Sequence, residues 1–175
     1  MRHIIIEGFM GSAKSQVARA VAEKMRMPFV DLDRVVTERL RMRAREVYER
    51  FGEPFYRASE SVELGELAEA EAACVIVLGS GAVLLPRTVD TLRKMGNVYY
   101  LHVERANLIS RLAKAEKHAW VRSGNLEERV NKMLDEREEC YEAAADVTLK
   151  TDDMTIAEIV NAIVSRERPQ AAKAL

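Results

Sequence analysis

Short apolar runs alternate along this chain with longer stretches in which apolar residues recur every three or four positions. A short continuous apolar run suits a strand buried on both faces, and the longer period marks one face of a helix. The pattern predicts strands at 3–7, 28–31, 74–78, 97–103 and 146–150, and helices at about 14–26, 33–50 with a break, 54–72, 87–95, 105–114, 125–144 and 154–165. The first strand holds Ile4-Ile5-Ile6; the first helix spaces Val17, Val21 and Met25 at i, i+4 and i+8, with Ala18 and Ala22 beside them, and Met27-Pro28 ends it. In the last helix Ile156, Ile159, Val160, Ile163 and Val164 share a face, after which 166–175 turns polar and alanine-rich and reads as a frayed tail. Strands alternating with helices predict an α/β three-layer sandwich built on a parallel sheet. No repeat or Gly/Ser/Pro-rich linker divides the chain, so 1–175 reads as one domain.

A chain of 175 residues with 48% hydrophobic content buries a sizeable core. The net charge of −1 supplies no basic stripe, which argues against a nucleic-acid partner. No apolar stretch reaches membrane length and no signal-peptide pattern opens the chain, so the expectation is a cytoplasmic protein without a membrane partner. Cys74 and Cys140 stand far apart and read as packing residues, and His3, His102 and His118 show no ligand spacing.

Between the first strand and first helix lies Gly8-Phe9-Met10-Gly11-Ser12-Ala13-Lys14-Ser15. It matches the phosphate-cradling loop G-x-x-x-x-G-K-[ST] at every place but one, where Ala13 stands for the last glycine. In such a loop backbone N–H groups surround phosphates, the lysine adds charge and the hydroxyl reaches Mg²⁺. Gly11, Ser12, Ala13, Lys14 and Ser15 are therefore candidate ATP-binding residues, with Ser15 also a metal ligand. A Cβ at position 13 costs about 1–2 kcal/mol if φ there is positive, which is expected to weaken nucleotide binding without forbidding it. The competing reading is a glycine-rich turn that binds nothing.

The second strand ends in Val30-Asp31-Leu32-Asp33, placing two carboxylates where open α/β sheets bind ligands. If the strand persists, period-2 spacing turns both to one side, so that one orients the metal's water and the other accepts a hydroxyl proton. The plainer alternative makes Asp33 the N-cap of the next helix. Arg57 lies among aromatics three positions before Glu60, and Arg137 falls on the apolar stripe Leu126, Val130, Met133, Leu134, Tyr141, where its charge needs an anionic partner. That partner is either an internal carboxylate such as Glu60 or the carboxylate of a small hydroxylated acid. The third strand runs into Gly79-Ser80-Gly81-Ala82-Val83, a close-approach segment or a plain turn.

Taken together, Gly8 to Ser15, Asp31-x-Asp33, Gly52-Glu53-x-x-Tyr56-Arg57-x-x-Glu60, Gly79-x-Gly81-Ala82-Val83 and Arg137-x-x-x-Tyr141 resemble shikimate kinase in order and spacing, over about residues 3–165. The resemblance implies a P-loop kinase fold with a five-stranded parallel sheet of order 2-3-1-4-5, usually monomeric, that moves the γ-phosphate of ATP to the 3-hydroxyl of shikimate. It gives Lys14 and Asp33 catalytic roles and Asp31 a place on Mg²⁺. Asp33, Arg57, Gly79, Ser80, Gly81 and Arg137 become shikimate-binding, Arg111 lies beside adenine, and Tyr48 replaces an aromatic wall residue. It further implies a substrate-binding segment at 33–60 and a lid at 112–124. The chain departs from the pattern at Ala13, Ser80 and His118; the last stands where the lid carries an arginine, with Lys117 and Arg122 as nearby cations and Trp120 as the lid's reporter. Loss of a charge-stabilising arginine in phosphoryl transfer costs on the order of 10³-fold. Three readings therefore remain: an active, divergent shikimate kinase, a P-loop kinase for another hydroxylated acceptor, and a non-catalytic paralogue.

Overall fold

The computed structural model describes residues 2–114 and 125–168. Its five strands, β1 (His3–Glu7), β2 (Phe29–Asp31), β3 (Val75–Val77), β4 (Gly96–His102) and β5 (Val147–Lys150), form one parallel sheet in the order β2-β3-β1-β4-β5. The helices described are α1 (Lys14–Met25), α2 (Leu32–Leu40), α3 (Ala44–Ala68), α4 (Pro86–Met95), α5 (Arg105–Lys114), α6 (Leu126–Ala144) and α7 (Ile156–Glu167), with a 3₁₀ turn at Ala82–Leu84. Every strand lies within one residue of its expected span.

β1 is the axis of the molecule because alternate residues supply opposite layers. Ile4 and Ile6 pack with Val17, Val21, Ile159 and Ile163 of α1 and α7, whereas Ile5 joins Tyr56, Leu64, Leu92, Leu134 and Tyr141 from α3, α4 and α6. A strand walled on both faces needs the unbroken apolar run seen in the sequence. The register sets Ile4, Ile5 and Ile6 against Val75, Ile76 and Val77 on one side, and Glu7 opposite Tyr100 on the other.

Helix ends differ from expectation for identifiable reasons. α1 stops before Pro28 because Arg26 turns left-handed at φ 55°, and the Met27 N–H closes the end on the Ala22 carbonyl at 2.9 Å. The helix expected over 33–50 divides at Arg41, which is also left-handed. The second expected break, at Gly52, is a kink inside α3: φ 79°, ψ 169° lies in a region open essentially to glycine alone. α7 runs to Glu167, past the start of the expected tail, since the Glu167 carboxylate accepts from Tyr99 Oη at 2.6 Å and Asn97 Nδ2 at 2.9 Å. The rest of that tail, 169–175, lies outside the described residues.

Candidate active site

The loop after β1 is shaped for an anion. Gly8 and Gly11 adopt φ 150° and 86°, and Ala13 itself sits at φ 63°, ψ 16°, so the backbone follows the path for which glycine is expected. Ala13 is the N-cap of α1 and offers no side-chain acceptor to the first helical N–H groups, which leaves them to a ligand. Lys14, half-buried at the same end, has its pKa drawn down by burial, while Asp33 and Asp31 push the other way. Arg111 reaches back from α5, its Nη1 3.4 Å from the Gly11 carbonyl oxygen. Asp152, in the loop after β5, steadies that helix by accepting from the Glu104 N–H and from Asn107 Nδ2 at 2.6 Å.

The two aspartates are arranged differently from the strand-based expectation. β2 ends at Asp31, which caps α2 by accepting from the Arg34 N–H at 3.3 Å, and Asp33 stands in the first turn of α2. The N-cap is thus Asp31 rather than Asp33, and period-2 spacing plays no part: the helix begins one residue before Asp33. The outcome still converges, because the first turn brings Asp33 to Gly79. A Cβ built on Gly79 would lie 2.7 Å from Asp33 Oδ1 and 2.6 Å from Glu60 Oε1. Tyr56 Oη donates to the same Oδ1 at 2.9 Å.

The arginines converge as well. Arg57 Nη1 donates to Glu60 Oε2 at 2.7 Å, while its Nε and Nη2 reach Glu53 Oε1 at 3.0 and 2.8 Å. Arg137 Nη2 shares that Glu53 oxygen at 3.5 Å, and its Nη1 donates to the Ser80 carbonyl at 3.3 Å, which Tyr141 Oη also engages. A Cβ on Gly81 would overlap the Arg57 guanidinium. Glu60, offered as an internal partner for Arg137, instead pairs with Arg57, three positions away on the same helix, and the carboxylate that Arg137 meets is Glu53. Glu60 is fully buried, and Oε1 is left without a partner among the described residues; burial outweighs Arg57 and pushes the carboxyl up to about 7. Ser80, where the resemblance expects glycine, turns its carbonyl to Arg137 and keeps its hydroxyl 3.5 Å from the same guanidinium.

Sequence reasoning placed Asp31, Asp33, Gly79 and Gly81 after strand ends, Lys14 and Ser15 at the start of a helix and Arg57 and Arg137 within helices; the fold sets Lys14 near Asp31 and Asp33 and brings Asp33, Arg57 and Arg137 to the Gly79–Gly81 turn. It assigned no role to Glu53, Tyr56 or Tyr141. The motif spacing signalled all three; what each touches is set only when α3 and α6 meet the Gly79–Gly81 turn. Lys117, His118, Trp120 and Arg122 lie outside the described residues; the lid, read as 112–124, opens with the last turn of α5.

A strand-to-helix phosphate loop on a 2-3-1-4-5 parallel sheet, with a carboxylate and two arginines facing it, defines a P-loop kinase acting on a small molecule. The family model for shikimate kinase matches residues 10–167. The chain is 31% identical over 166 residues to the shikimate kinase of Pseudomonas syringae pv. tomato, covering 95% of this chain and 96% of that one. To the shikimate kinase of Thermoanaerobacter pseudethanolicus it is 32% identical over 165 residues, 94% and 95% of the two chains. The structure of Acinetobacter baumannii shikimate kinase in complex with shikimate superposes with a TM-score of 0.84 at 25% identity, covering 97% of this chain and 96% of that one. The chain belongs to the shikimate kinase family, and its activity is that of an ATP-dependent shikimate kinase.

Proposed function

We propose that this chain transfers the γ-phosphate of ATP to the 3-hydroxyl of shikimate with the residues gathered at the ends of β1, β2 and β3. The observation that carries the reading is the convergence of Asp33, Arg57 and Arg137 on the Gly79–Gly81 turn. Asp33 stands on one side to receive hydroxyls, and Arg57 and Arg137 on the other to hold a carboxylate. Shikimate presents those two groups on opposite sides of a small ring, so one molecule satisfies both walls.

Lys14 and the free N–H groups at the start of α1 hold the phosphates, and Arg111 lies against the base. Ser15 and Asp31 form an oxygen-only donor set that fits a hard divalent cation; Mg²⁺ bound there neutralises charge on the phosphate chain. Asp33 takes the proton from the 3-hydroxyl as its oxygen forms a bond to the γ-phosphorus. The bond to the bridging oxygen breaks and ADP leaves with that electron pair. Orientation by the arginines contributes by fixing the attacking oxygen in line. Ala13 and Ser80 are tolerated departures in this reading, and the protein acts as a cytoplasmic monomer.

A coupled assay of ADP release with Mg²⁺ and ATP, with and without shikimate, tests this. Shikimate-dependent release that Asp33→Asn abolishes while ATP binding survives is the expected result. Release with no dependence on shikimate, or full activity in Asp33→Asn, overturns the acceptor or the base respectively.

A further inference from the structure

The two oxygens of the Asp33 carboxylate are not equivalent. Oδ1 is pressed against the backbone of Gly79 and accepts from Tyr56 Oη at 2.9 Å, the one hydrogen bond its side chain receives among the described residues. Tyr56 is 1% exposed, and its ring lies 4.9 Å from that of Tyr48 in a stacked pair, so the phenol has little freedom to turn elsewhere. Burial and the Asp33 charge push the Tyr56 pKa far above its ordinary value, which keeps it a donor at every working pH. The charged and titratable groups facing Asp33 are Lys14 from α1 and Tyr48, Tyr56 and Glu60 from α3. Of these, Tyr56 is the one that donates a hydrogen bond to it.

We infer that Tyr56 is a positioning residue for the transfer: its hydroxyl occupies Asp33 Oδ1, locks the carboxylate plane and reserves Oδ2 for the proton of the attacking hydroxyl. The inference rests on the reading of Asp33 as the base. Tyr56 thus fixes the direction in which Asp33 accepts a proton.

Tyr56→Phe removes one oxygen and keeps the ring. Steady-state kinetics are expected to show kcat down by about tenfold on the plateau, the size expected for a hydrogen bond to a charged group. The KM values for ATP and for shikimate are little changed, because the hydroxyl acts on the base and not on either substrate, so the loss falls on kcat. A merely structural tyrosine would lower the amount of folded enzyme and leave kcat per folded molecule where it was, so an unchanged kcat, or a loss spread equally over the KM values, overturns the inference. A second measurement needs neither turnover nor a Tyr56 variant. In protein carrying ¹³C at the tyrosine ζ carbon, the Tyr56 signal shifts in Asp33→Ala if the bond exists. An unchanged signal overturns the inference even where the assay has found no shikimate phosphorylation, and a shifted one upholds the bond while the assay alone judges the activity.

Discussion

Ala13 holds a left-handed conformation at φ 63° with a Cβ in place. Such a residue costs about 1–2 kcal/mol, and glycine would return about 0.5–1 kcal/mol of that as chain entropy in the unfolded state. Ala13→Gly is therefore expected to stabilise the fold by under about 1 kcal/mol, a rise of at most about 2–4 °C in melting temperature for a chain of this size. A lowered melting temperature would contradict the strain. Glu7 is a second residue-scale cost: 1% exposed, with neither carboxylate oxygen partnered among the described residues, at the end of β1 opposite Tyr100. Burial raises its pKa well above the ordinary carboxyl value, so the folded protein keeps a proton that the unfolded chain releases. The folded state then binds more protons, and stability falls as pH climbs from the ordinary carboxyl value toward the raised one. Glu7→Gln stays neutral throughout and is expected to gain more melting temperature at pH about 8 than at about 5; an equal gain at both would mean that Glu7 does not titrate in this way.

At the scale of elements, the Gly79–Gly81 turn is the piece against which α2, α3 and α6 are fitted. Gly81 is needed for space rather than flexibility, because any side chain there meets Arg57. Gly81→Ala should raise the shikimate KM by about tenfold or more through displacement of that guanidinium, as expected where a charged partner is lost, with the KM for ATP little changed. Equal effects on both would place the damage in the fold instead. The same turn shows where sequence reading stops. β1 and β3 were legible because a strand buried on both faces must be apolar in its interior, and Arg137 was legible because a charge on an apolar stripe demands a partner. Asp33 reaches the Gly79 turn by a geometry other than the one expected: apolar alternation does not reveal that β2 yields to α2 after Asp31. The Tyr56 contact was out of reach, since a tyrosine between apolar residues reads as core until the turn that lies beside it is known.

For the molecule as a whole, the sheet carries its chemistry at the carboxyl ends of the strands, and the alternation of β1 ties the two helical layers to it. The sequence pattern exposed this architecture nearly completely, because periodicity is a property of each segment alone; the pairing of distant charges is not. Glu53, 44% exposed, is the clearest instance, since it accepts from Arg57 and Arg137, which are 80 positions apart (137 − 57). With Glu60 ionised, two guanidinium groups are matched by two carboxylates inside the protein, and the pocket presents no surplus positive charge to the cell. Under the proposed function, admission goes to a molecule whose acid group displaces or shares Glu53 while its hydroxyls make up the difference at Asp33, so that discrimination requires two features at once rather than charge alone.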